Sequence, residues 1–131
     1  MRPVALWGPV VLVTALIYWA SSMSDPGAPP GGLSDKALHV LVYASLGASL
    51  IRALSGAVPS RMTLRLVLIA ALIGTAYGVS DELHQSFVPH RTPEWLDLVA
   101  DAGGSLAGAA VLATIARLFA RSRTGLRDST R

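Results

Sequence analysis

Four stretches of this chain are apolar for long enough to cross a bilayer, and that limits the fold more than any other feature. A hydrocarbon core takes about 20 residues of helix, and inside it the backbone has to satisfy its own hydrogen bonds. The first stretch, "PVALWGPVVLVTALIYWA" from Pro3 to Ala20, carries no charge. The expected helices are about 3–23, 35–55, 64–85 and 93–119. Hydrophobic residues make up 52% of the chain and charged ones 15%, with a mean hydropathy of +0.51. A soluble domain carries roughly a quarter charged residues. The expectation is an all-α polytopic membrane protein, an antiparallel bundle of four transmembrane helices over residues 1–120. The rest, "RSRTGLRDSTR" at 121–131, has no apolar face and reads as a disordered basic cytoplasmic tail.

The breaks between the stretches are equally plain. "SSMSDPGAPPGGLS", "SGAVPSR" and "SFVPHRT" are rich in turn formers. Ser34 before Asp35 has the chemistry of an N-cap, and so does Thr92, with Pro93 at the first helical position and Glu94 against the helix dipole. Ala70, Gly74 and Gly78 recur at every fourth position, and Gly104 and Gly108 form a small-xxx-small pair, which suits close helix packing. The first stretch has one arginine and small residues near Ala20 to Ser22, as a signal peptide would. Its apolar run exceeds the usual length of about 7 to 15 residues, which favours a retained membrane helix.

Charge sets the expected orientation. Four spans place both termini and the loop near residues 52–65 on one side. That side holds nine arginines, whereas the other holds only Lys36 and Arg91. The positive-inside rule then puts the termini in the cytoplasm. The chain's net charge of +3 and pI near 10.0 do not indicate nucleic acid, because the arginines flank apolar segments and form no soluble basic face. There is no cysteine, hence no disulfide or thiolate metal site.

Seven of the eight acidic residues fall toward the outer face. The second helix starts there, the third ends there and the fourth starts there. Asp35, His39 and Tyr43 share one helix face, with Lys36 beside them. Tyr77, Asp81 and Gln85 share another, flanked by Glu82 and His84, and Asp97, Asp101 and Ser105 share a third. Asp101 sits roughly 12 Å below the expected start of its helix by the rise per residue. An ionisable group at such depth faces a bundle interior or a wet cavity and marks a candidate site. Arg91 lies six residues after Gln85 and six before Asp97, so its side chain can turn inward toward Asp81 or Asp97.

"DKALHVLVY" (Asp35 to Tyr43) and "GVSDELHQSFVPHRTPEWLDLVADAGGSLAG" (Gly78 to Gly108) resemble the VanZ-like family of small bacterial integral membrane proteins. The loop "SSMSDPG" also looks like the family's. The departures are His90, where the family often has Gly, and Asp101, where Asn is frequent. The resemblance implies the bacterial cytoplasmic membrane, and the family's namesake is associated with low-level teicoplanin resistance.

Three functions compete. The first is action on an envelope component, a lipid-linked or cell-wall anion, at the outer face. Asp35, Lys36, Tyr43, Glu82, Gln85, Arg91 and Asp101 would then bind the substrate, Arg91 as a bidentate fork. If a reaction is catalysed, His39, Asp81 and Asp97 are the candidate catalytic groups, and Asp81, Asp97 and Asp101 could hold a divalent metal through oxygen ligands. The second is a proton, ion or small-solute path along intramembrane carboxylates, which the one-sided placement of polar groups disfavours. The third is a structural or partner-binding bundle held together by an ion-pair network.

Overall fold

A computed structural model describes residues 2–28 and 30–128, with side chains placed except at Pro30 and residues 123–128. The described chain is all-helical: α1 (Pro3–Ser21), α2 (Asp35–Leu54), α3 (Leu64–Gln85) and α4 (Trp95–Asp128), with 3₁₀ turns at Pro30–Gly32 and Pro59–Arg61. All four helices are long and apolar enough to cross a membrane, in α4 over Trp95–Ser122. The helix of α4 runs past residue 119, into the segment that reads as a basic tail; residues 129–131 lie outside the described part.

Local chemistry accounts for the helix starts. Ser34 Oγ accepts from the Ala37 amide at 3.2 Å, and Thr63 Oγ1 accepts from the Leu66 amide at 3.3 Å. The start of α4 differs from the expected one. Thr92 and Pro93 stay outside the helix, which begins at Trp95. The entry is held from α3 instead: Glu82 Oε2 accepts the Glu94 amide at 2.9 Å, and the Glu94 carbonyl accepts the Asp97 amide at 2.9 Å. A carboxylate from a neighbouring helix thus does the work a local cap would do.

Lipid tails are as apolar as leucine, so close packing and polar contacts must hold such helices together. The tightest seam joins α2 and α4. A Cβ on Gly104 would lie 2.5 Å from the Val40 carbonyl oxygen, and one on Gly108 or Gly47 would collide with the backbone of Ala44 or Ser105. Glycine is therefore what lets the two backbones meet. On α3, a Cβ on Gly78 would lie 2.7 Å from an Asp101 carboxylate oxygen, and one on Gly74 would strike Ser105. The seam closes around a core that includes Tyr43, Leu46, Leu50, Ile51, Ala70 and Ala109.

The first helix is attached more loosely, by polar ties. Pro9 lacks an N–H, which leaves the Ala5 carbonyl without its helical donor. Arg52 Nη1 of α2 donates to that carbonyl at 2.8 Å. Farther along, Tyr77 Oη of α3 donates to the Thr14 carbonyl at 2.7 Å. At the same end of the bundle as Arg52, Arg117 of α4 donates to the Met62 carbonyl. The opposite end gathers the C-termini of α1 and α3 and the N-termini of α2 and α4, and the polar residues sit there.

Candidate functional site

Two carboxylates enter this end from α4. Asp101 has no exposure and Asp97 is 5% exposed. Gly78 on α3 makes room for the Asp101 carboxylate, as described above. Asp101 Oδ1 lies 2.8 Å from His39 Nδ1 of α2. When the ring is neutral and Nδ1–H donates to this carboxylate, the ring is held in one orientation and Nε2 carries the lone pair. That Nε2 lies 4.0 Å from Asp97 Oδ2.

Lys36, one residue into α2, is the centre of a second cluster. Its Nζ forms ion pairs with Asp97 Oδ1, with Glu94 Oε2 at 2.6 Å and with Asp35 Oδ2 at 3.7 Å. Glu94 therefore does more than complement a helix dipole: its side chain binds Lys36 and its amide binds Glu82. On α3, Asp81 Oδ2 accepts from Gln85 Nε2 at 3.1 Å, and both residues are buried. Tyr43 is 1% exposed, and its hydroxyl has no partner among the described residues. His84 lies apart from this cluster, ring to ring with Tyr18 at 4.8 Å and 3.1 Å from Ser22 Oγ.

Arg91 corrects the expectation that it turns onto a carboxylate. Among the described residues it makes no ion pair, and its Nε is buried without a partner. The reason lies in the competition. Lys36 already holds Asp97, and Gln85 already holds an oxygen of Asp81. The loop that presents Arg91 turns at His90, which takes a left-handed φ of 64°. Glycine is the easiest residue there, but histidine is among those that tolerate it. The Arg91 amide then donates to the Val88 carbonyl at 3.2 Å.

Two cavities meet at these residues. A polar one of about 270 Å³ is lined by His90, Thr92, Glu94 and Asp97. An apolar one of about 380 Å³ lies under the α1–α2 loop, against residues such as Trp19, Met23, Leu38 and Val42. Asp35, His39, Gln85 and Arg91 line both and form the wall between them. Asp81 and Tyr43 face the apolar cavity, Asp97 faces the polar one, and Asp101 stands behind His39. Glu82 and Lys36 tie the helix ends together beside them.

The candidate metal ligands also differ from those read in the sequence. Among the described residues, the group with ligand atoms close enough for one ion is Asp35, His39 and Asp97, all within 4.8 Å of one another. Asp81 and Asp101 are drawn off by Gln85 and His39. The Asp101–His39 pair would serve as the outer-shell support that metal-bound imidazoles usually have. The Lys36 ammonium already holds Asp97, and a cation there would have to displace it.

Sequence reasoning missed the contributions of α1 and its following loop, Trp19 and Met23 above all, because isolated apolar residues in a membrane protein carry no signal. It also missed the Arg52–Ala5 tie, although Pro9 inside an apolar helix was a legible hint that one carbonyl needed a donor from elsewhere.

No curated protein and no solved structure matched the chain. A family model does: residues 7–118, nearly the whole bundle and both sequence motifs, match VanZ/LLP1. The chain belongs to the VanZ/LLP1 family.

Proposed function

We propose that this protein acts at the outer face of the bacterial cytoplasmic membrane on an envelope component, lipid-linked or cell-wall derived, held through an anionic group. The observation that carries the reading is Arg91, a guanidinium on the wall between two cavities with a buried, unpartnered Nε. A guanidinium stays charged in a half-buried site and offers parallel donors to a phosphate or carboxylate. His39 stands on the same wall, with its ring oriented by Asp101. A lone pair on Nε2 can take a proton from a hydroxyl or water of the bound molecule, in the manner of a histidine general base backed by a carboxylate. Asp101 is then a positioning residue, and Gln85 and Tyr43 offer hydrogen bonds to the ligand's uncharged polar atoms. A link to glycopeptide resistance, with which the family's namesake is associated, belongs to the same proposal.

The test pairs abundance with phenotype. Arg91→Lys keeps the charge but loses the fork. It is expected to insert and accumulate normally in the membrane while losing most function, read as glycopeptide susceptibility or envelope phenotype in a host lacking the protein. His39→Gln is expected to behave likewise. Full activity of Arg91→Lys would reduce Arg91 to a mere charge and end the anion-binding reading. Loss of abundance in both variants would favour the structural bundle.

A further inference from the structure

The paired cavities are amphipathic in a specific way. The apolar one is bounded by Ile17, Trp19, Met23, Leu38 and Val42, and the buried hydroxyl of Tyr43 faces it without a partner. Its volume of about 380 Å³ lies within the range of small-molecule sites, roughly 300–1,000 Å³. The polar one carries three carboxylates, Asp35, Glu94 and Asp97, with Arg91 on its wall and Lys36 beside it. Three carboxylates face the cations Arg91 and Lys36, with the His39 imidazole between them, and Asp81, Glu82 and Asp101 lie close behind, so carboxylates outnumber the cationic groups. A simple anion therefore meets Arg91 in a field that opposes it. Coulomb repulsion from several carboxylates crowded into one small cavity opposes the binding of such an anion. A multiply charged diphosphate would be rejected several times over. A ligand with one anion and one ammonium adds no net charge and can satisfy both signs.

We propose that the ligand is a zwitterionic aminophospholipid. Its phosphodiester pairs with Arg91, and its ammonium lies against Asp35 and Glu94, the more exposed carboxylates of the cluster. One hydrocarbon chain enters the apolar cavity past Leu38 and Val42, and the Tyr43 hydroxyl donates to an ester oxygen where chain and headgroup join. The proposal rests on the anion-binding reading of Arg91 and adds two independent demands, a chain and an ammonium.

The test uses the full chain in nanodiscs of phosphatidylcholine doped with a trace of photoreactive lipid. The probes carry the same diazirine acyl chain on phosphatidylethanolamine, phosphatidylglycerol or phosphatidylcholine, and crosslinks are mapped by mass spectrometry. The phosphatidylethanolamine probe is expected to concentrate on peptides holding Met23, Leu38 and Val42, severalfold above the lipid-exposed Leu72 and Val111. Val42→Trp, with Leu38→Trp as a second variant should the first misfold, is expected to suppress that labelling while leaving Leu72 unchanged. Asp35→Asn should abolish the preference for phosphatidylethanolamine over phosphatidylglycerol, and Arg91→Gln should lower cavity labelling by every probe about tenfold, as befits a lost charged hydrogen bond. Cavity labelling no higher than at Leu72 would overturn the chain; labelling by phosphatidylglycerol equal to or above phosphatidylethanolamine would overturn the ammonium. Cavity labelling that survives Arg91→Gln unchanged would instead sink the anion-binding reading.

Discussion

Two adjacent glycines on α4 make a matched pair for testing the α2–α4 seam. Gly104 faces the backbone of α2; Gly103 faces outward, and a Cβ there meets nothing within 4 Å. In Gly104→Ala the new methyl would sit 2.5 Å from the Val40 carbonyl oxygen, where ordinary contact begins at 3.4 Å. Both atoms belong to helix backbones or are fixed to them, so no rotamer change relieves the clash. The helices must part by about 0.9 Å, the difference between those two distances. A gap of that size forfeits up to half of each affected contact of about 0.1–0.2 kcal/mol. Over a few tens of atom pairs the loss is roughly 1–3 kcal/mol, the usual range for an overpacked core. Gly103→Ala suffers none of this and gains up to about 1 kcal/mol of helix propensity. The separation also reaches the site, because His39 precedes Val40 and Asp101 lies one turn before Gly104. Their 2.8 Å contact would be stretched past hydrogen-bonding length. Thermal unfolding of the two purified variants in one detergent, followed by near-ultraviolet circular dichroism, measures the difference. Gly104→Ala should melt well below wild type and Gly103→Ala at or slightly above it. Equal melting temperatures would show that the backbones of α2 and α4 do not touch.

Other expected outcomes test separate contacts. Arg52→Leu strands the Ala5 carbonyl and should loosen α1, at a cost of roughly 1.5–3 kcal/mol for a charged hydrogen bond; faster hydrogen exchange confined to α1 amides checks it, and unchanged exchange refutes the tie. Lys36→Met leaves the buried side of Asp97 facing Glu94 with no cation and should destabilise by roughly 1–3 kcal/mol, whereas Lys36→Arg should largely restore the melting temperature. Orientation is open to single-cysteine labelling because the chain has no cysteine of its own. A cysteine placed between residues 86 and 92 should react with an impermeant external reagent while one between 56 and 62 is protected, and the reverse pattern would invert the topology.

Four apolar segments, the ends of α1, α2 and α3 to within a residue or two, and the end of the bundle where polar chemistry collects are legible from the residues alone, whereas α4 starts later and runs farther than expected. Hydropathy over 20 residues is a property of each segment alone, and a period of four places Asp35 with His39, or Asp97 with Asp101, whatever surrounds them. The small residues at 74, 78, 104 and 108 were legible as a pattern, too, but not as a fit, since which backbone each one approaches depends on how the helices cross. Which groups pair depends on how the helices pack. Lys36 rather than Arg91 holds Asp97, Asp101 backs His39 instead of joining a metal set, and Glu82 rather than Thr92 secures the start of α4. These choices are competitions among several groups within reach of one another, settled by differences of an ångström or two in approach and by the rotation of each helix about its axis. Neither quantity is written into any single segment; both arise only when the glycine seam brings α2, α3 and α4 together.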